Sequence, residues 1–170
     1  MKKYFTMLLL AFFAVAVISC NDRDDVVVQD NVIPAVMRDI RGSFTSANSY
    51  RLFEELDLND TDIVLVYRNA NSDLNTSPAW QLLPKTEYLD GIGEIDYNVE
   101  FNSQIVNIFT VATFNYSTLN SEDANRYILN QQFRIVLIPA QAGKNSAVNY
   151  DDYESVIKFY NIDESKIKPF

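Results

Sequence analysis

The stretch Glu94–Asn102, EIDYNVEFN, sets three carboxylates, Glu94, Asp96 and Glu100, at even spacing. In an extended chain such residues share a face and alternate ones lie about 7 Å apart, in the range of carboxylate pairs that hydrolyse glycosidic bonds. That chemistry also needs a cleft, with one carboxyl buried so that it stays protonated. Ile95, Tyr97, Val99 and Phe101 take the other parity, so the carboxylates are expected on the wet face of a strand. A second acidic group, Asp57, Asn59, Asp60 and Asp62 in DLNDTD, offers hard oxygen ligands for Ca²⁺. It departs from the EF-hand pattern, with Asp62 at the sixth loop position in place of glycine and Arg68 at the twelfth in place of glutamate. An Asp/Asn-rich turn before a strand is the simpler reading. Trp80, the single tryptophan, is the candidate ligand contact. Exposed, it would stack on a sugar ring; beside Leu82 and Leu83 it would be a core residue. The chain has no histidine and one cysteine, Cys20. That removes Ser-His-Asp and Cys-His catalysis, a CxxC redox pair, a zinc knuckle and an intrachain disulfide.

Cys20 has a distinctive setting. Lys2 and Lys3 precede the apolar run Met7–Ile18, MLLLAFFAVAVI. The run suits a signal-peptide core and is short of the roughly 20 apolar residues of a bilayer crossing. It ends in Val17-Ile18-Ser19-Cys20, which resembles the bacterial lipobox. That resemblance implies cleavage before Cys20, whose thiol carries a diacylglycerol and whose residue becomes the acylated N-terminus. Two or more acyl chains give stable anchoring where one does not. Asn21, Asp22, Asp24 and Asp25 follow, around Arg23. This cluster resembles the signal that sends Bacteroidetes lipoproteins to the outer face of the outer membrane, and it also suits an extended, solvated tether. The expected organisation is a signal peptide over 1–19, a lipidated acidic tether over 20–35 and one domain over 36–170.

The net charge of −9 comes from 14 basic and 23 acidic side chains. Loss of residues 1–19 removes two basic groups and no acidic one, leaving −11. Phosphate backbones and anionic headgroups repel such a surface, so nucleic acid is set aside as a partner. Hydrophobic residues at 48% are enough for a packed core.

Beyond the tether the pattern is of strands and turns. Arg38–Thr45 and Tyr50–Leu56 read as a hairpin around Ser46–Ser49. Asp62–Arg68, DIVLVYR, is continuously apolar and β-branched, as in a strand buried on both faces. Trp80–Leu83 is a strand closed or bulged at Pro84, with Lys85–Leu89 continuing to a turn at Asp90-Gly91. Glu94–Asn102, Ile105–Phe114 and Gln132–Ile138 follow. About seven antiparallel strands with short loops predict a single β-sandwich. Asp151-Asp152-Tyr153-Glu154 caps a short C-terminal helix striped by Val156, Ile157 and Tyr160, expected across an open end or edge of the sheets, with a further turn at Asp163–Lys166. Tyr116, Tyr127, Tyr150 and Tyr153 fall in or near predicted loops, where tyrosine suits recognition.

DIVLVYR, AWQLLPKTEYLDG, IDYNVEF, NQQFRIVLIPA and YDDYESVIKFYNI, in this order, resemble a group of small Bacteroidetes outer-membrane lipoproteins with no assigned activity, over roughly Val36–Lys168. Many members carry a collagen-like Gly-X-Y spacer after the lipidated cysteine; this chain has the acidic tether there. Some members bear the name dihydrolipoamide dehydrogenase. The residues here contradict that activity, with no GxGxxG after a strand, no redox cysteine pair and no histidine.

The expectation is a lipid-anchored binding or structural module of the outer membrane, facing the cell exterior. It is not expected to be an enzyme or to hold a cofactor or metal. Its partners would be the membrane, through Cys20, and an envelope protein or glycan. The alternatives are a glycan hydrolase working through paired carboxylates, or an accessory or inhibitor subunit of a surface enzyme complex.

Overall fold

The computed structural model describes residues 35–56, 62–139 and 148–167, which fall within one unit spanning 32–170. The expectations for residues 1–34, Cys20 and its flanks included, and for Asp57, Asn59 and Asp60, lie outside the described residues. Among the described residues there are eight strands: β1 Val36–Gly42, β2 Arg51–Glu55, β3 Ile63–Asn69, β4 Trp80–Leu82, β5 Lys85–Leu89, β6 Gly93–Phe101, β7 Ile105–Ala112 and β8 Gln131–Ile138. They form two antiparallel four-stranded sheets, ordered β1-β8-β3-β4 and β2-β7-β6-β5. The expected β-sandwich is therefore the architecture. Phe44, Val66, Ile95, Tyr97, Val106, Ile108, Phe133 and Ile135 fill the space between the sheets. Phe44 meets Phe133 edge to face at 5.8 Å.

Two connections differ from the sequence expectation. β1 and β2 do not form a hairpin, because β1 pairs with β8 and β2 with β7. Phe44, between them, is fully buried in the core and draws the chain from one sheet to the other. Gly42 permits the crossing, since a Cβ there would stand 2.5 Å from Leu52 Cδ2. The turn beyond it closes through Asn48, whose Oδ1 accepts from the Thr45 amide at 2.9 Å, and through left-handed Ser49 and Tyr50. The second difference lies at Pro84. β4 belongs to the first sheet and β5 to the second, so the break is a change of sheet rather than a bulge. Splitting that stretch turns about seven strands into eight.

β3 is buried on both faces, as its apolar run predicts. Val64 and Val66 point between the sheets, while Leu65 and Tyr67 point outward beneath the C-terminal segment. That segment comprises helix α2, Tyr153–Phe159, and a 3₁₀ turn at Glu164–Lys166. Asp152 caps α2, accepting from the Glu154 amide and the Ser155 hydroxyl. The helix lies beside β4, the edge strand of the first sheet, in keeping with the expected edge position. It covers the outer face of the first sheet, packing Tyr153 and Val156 against Met37, Tyr67, Val136 and Ile138 in a second apolar cluster. The reason is the first sheet's outward parity, which is as apolar as its inward one.

Helix α1, Ser121–Tyr127, is absent from the sequence expectation. Asn120 caps it by accepting from the Asp123 amide at 2.9 Å, and Asp123 accepts from Asn120 Nδ2 at 2.7 Å. Tyr127 and the following Ile128 pack against the main core, and the Tyr97 hydroxyl donates to Tyr127 O at 2.7 Å.

Candidate functional site

Among the described residues two arginines stand in the interior, and both join structural elements. Arg134, on the covered face of the first sheet, donates to Asp39 through Nε at 2.6 Å and Nη2 at 2.8 Å. Its Nη1 reaches Glu164 Oε1 at 2.8 Å and the Tyr153 hydroxyl, which itself donates to Glu164 Oε1 at 2.7 Å. Burial works against the charged guanidinium, but its hydrogen bonds to Asp39 and Tyr153 outweigh it and hold its pKa above the ordinary value. Desolvation and the Glu164 hydrogen bond raise that of Tyr153. The cluster fastens the C-terminal segment to the sheet. Arg68 lies between the sheets, donating to Gln131 Oε1, Arg126 O and Glu87 Oε1, with its guanidinium 4.3 Å from the Tyr97 ring centre.

Trp80 sits within the first of these clusters. The Arg134 guanidinium lies 4.4 Å from its ring centre and Tyr153 packs at 5.7 Å. The side chain thus occupies the apolar layer under α2 with Leu82 as neighbour. The tyrosines from the predicted loops are similarly engaged. Tyr116 stacks on Tyr50 at 4.1 Å and donates to Thr110, the Tyr150 and Tyr160 hydroxyls bond at 2.9 Å, and Tyr153 is buried.

The second sheet presents a different surface. Its register puts Phe53, Asn107 and Glu100 in one outward row, Arg51, Phe109 and Asn98 in the next, and Val111, Asp96 and Thr86 in a third. Phe53 is 60% exposed and Val111 53%. Arg51 reaches over β7 to Glu100 at 3.0 Å, passing 4.7 Å from the centre of the Phe109 ring. Glu100 also accepts from Asn107 Nδ2. Asn107 is only 5% exposed beneath this bridge, and among the described residues its Oδ1 has no hydrogen-bond partner. A buried acceptor left in that state carries its full desolvation penalty.

The three even-spaced carboxylates stand in the β6 column of this face. Glu94 and Glu100 are exposed, and Asp96 accepts from the Thr86 hydroxyl at 2.6 Å. They occupy one open strand face, not opposite walls of a cleft, so the arrangement a glycosidase needs is not formed by these three. A depression of about 450 Å³ is lined by Glu55, Leu56, Gln104 and Ile105, and one of about 430 Å³ by Val148, Ser155, Lys158 and Phe159. Among the described residues no group of His, Cys, Asp and Glu is placed to hold a metal, and no helix is long and apolar enough to cross a membrane.

The sequence reading passed over Phe53, Phe109, Val111 and Asn107. A signal was present in Ile105–Ala112, IVNIFTVA. Val106, Ile108 and Ala112, with Thr110, are its inward residues, yet Ile105, Phe109 and Val111 make the outward parity apolar too. No family model matches this chain, and the comparisons with curated proteins and with solved structures found no match.

Proposed function

We propose that the protein is a lipid-anchored binding module of a bacterial outer membrane, facing the cell exterior and engaging its partner through the outer face of the β2-β7-β6-β5 sheet. One observation carries the binding part of this reading. The first sheet's outer apolar face is covered by α2, while the second sheet leaves Phe53 and Val111 open. Phe53 and Val111 flank the Arg51–Phe109 row on this uncovered face, and exposed apolar groups rimmed by polar ones mark interaction surfaces. The anchor rests on Met7–Cys20 and the outward address on Asn21–Asp25. The same patch also suits an accessory subunit of a surface enzyme complex.

The test has two arms on intact cells. Cys20→Ala should move the protein out of the membrane fraction, and retention there removes the anchor. A photo-reactive amino acid at position 53 should yield a cross-linked adduct, while the same group at exposed position 158 on α2 should not. Equal yields from both positions, or none at 53, removes the docking face.

A further inference from the structure

We infer that the outer face of the β2-β7-β6-β5 sheet receives a short polypeptide segment in which an apolar side chain is flanked by lysine or arginine. This rests on the binding-module reading and names its partner class. Charge is the first argument. The register sends Glu55, Glu94, Asp96 and Glu100 outward on this face against one guanidinium, that of Arg51. The whole chain carries −9. An anionic polymer is repelled by such a surface, and a second copy offering the same face across a two-fold axis would set these carboxylates against their own kind. A cationic rim on the partner is complementary.

Size is the second argument. Four strands spaced about 4.8 Å apart, and a β7 outward column rising about 3.4 Å per residue, give a face of roughly 15 by 20 Å. Between backbone centres that is a plan area of about 300 Å², small beside the ~800 Å² of accessible surface that each partner of a stable interface between two folded proteins buries. It suits a segment rather than a domain.

Asn107 is the third. Its unpartnered Oδ1 asks for an N–H or O–H donor, and it lies in register between Phe53 and Glu100. The Arg51–Glu100 bridge above it is solvent-exposed, with side-chain exposures of 38% and 61%. Pairs of this kind contribute only ~0–1 kcal/mol, so a partner's ammonium or guanidinium can displace Arg51 at small cost and reach both Glu100 and Asn107. A sugar ring is served less well. A neutral ring cannot take over the ion pair of the guanidinium that stands 4.7 Å from the centre of the Phe109 ring, whereas a cationic side chain can.

The experiment is selection of a displayed library of random twelve-residue peptides on the immobilised full-length chain in detergent, with an array of oligosaccharides in parallel. Selected peptides should carry an aromatic or aliphatic residue flanked by Lys or Arg. Their affinity should drop about tenfold on Phe53→Ala or Val111→Thr. It should fall with salt in the parent and much less steeply with salt in Glu100→Gln. Selection of peptides without basic residues, binding that survives Phe53→Ala, or no selection at all overturns the inference. So does an oligosaccharide whose binding is lost on Phe53→Ala, in favour of a glycan ligand. Where the inference fails while the adduct at position 53 persists on cells, the binding-module reading stands; where the adduct is also missing, both fail.

Discussion

Arg134 grips Asp39 with two parallel hydrogen bonds, at 2.6 and 2.8 Å, across the β1–β8 pair and under the C-terminal segment. Both side chains are nearly removed from water, at 9% and 11% exposure. An ion pair taken out of water owes its favourable balance to complete pairing, so removal of one partner is far more damaging than removal of both. Asp39→Ala should destabilise the fold by about 3–5 kcal/mol in urea denaturation, and the double variant Asp39→Ala/Arg134→Met by clearly less. Equal losses in the single and double variants would show that Tyr153 and Glu164 compensate the guanidinium without Asp39.

The cover over the first sheet depends on Val156, which is fully buried from the centre of α2. Val156→Ala removes two methyl groups from the contact with Met37, Val136 and Ile138 and should cost about 2 kcal/mol, at ~0.8 kcal/mol per methyl plus the space left behind. An exposed-face change on the same helix, Lys158→Ala, should alter stability by less than about 0.5 kcal/mol. Parallel thermal melts of the two variants make the comparison. A small loss at Val156 would show that the segment is only loosely held.

Tyr67 and Tyr97 are fully buried, and burial drives the pKa of each well above the ordinary value of 10.0. The unfolded chain therefore loses these protons first as pH rises. Stability from the neutral phenols is complete below pH 10 and declines as the pH moves from there toward their folded values. Each phenol should contribute a slope of about −1.4 kcal/mol per pH unit in that window. Tyr97→Phe should remove one such slope while losing the hydrogen bond to Tyr127 O. Melts taken between pH 9 and 11.5 read this directly, and an unchanged slope in Tyr97→Phe would count against burial as the cause.

At the acid end, Asp152 is held below the ordinary carboxylate value, chiefly by the Ser155 hydroxyl and also by the backbone amides of Ser155 and Glu154. Its folded pKa is depressed, so its contribution is present above the ordinary carboxylate range and is lost as pH falls through the folded value. Asp152→Asn keeps a cap acceptor without the charge, and should flatten the acid limb of the stability curve more than it lowers stability at pH 7. An acid limb identical to that of the parent would assign the depression no energetic role.

The strands and the C-terminal helix were legible because their signals are local. Period two in EIDYNVEFN and the apolar run in DIVLVYR each follow from a few neighbouring side chains. Even there Phe101, in the apolar parity of β6, is 53% exposed, because the strand runs past the end of the core. The sheet changes at Phe44 and Pro84 were not legible. They are fixed by which distant strand each segment pairs with, and adjacent strands in sequence look like a hairpin whether or not they pair. Helix α1 was hidden by its length, seven residues with no fully buried side chain to make a stripe. The open face on the second sheet was half legible. The carboxylates on β6 predicted its wet side, but Phe53 and Val111 come to it only when β2 and β7 are placed beside β6.

Asn107 separates stability from docking. Its Oδ1 is buried without a partner, while its amide nitrogen serves only the surface carboxylate of Glu100. Asn107→Val fits a central strand and relieves an unpaired acceptor whose burial costs ~1–3 kcal/mol, against the loss of one hydrogen bond to an exposed partner. The folded state should therefore gain about 1 kcal/mol in urea denaturation. Affinity for the selected cationic peptides should fall in the same variant, since the acceptor that their donor satisfies is gone. A residue that lowers stability and raises binding is the pattern of a site shaped for a ligand rather than for the fold. A variant that gains stability and keeps its affinity would place the ligand elsewhere on the sheet, and one that loses stability would show that Oδ1 is satisfied by water in solution.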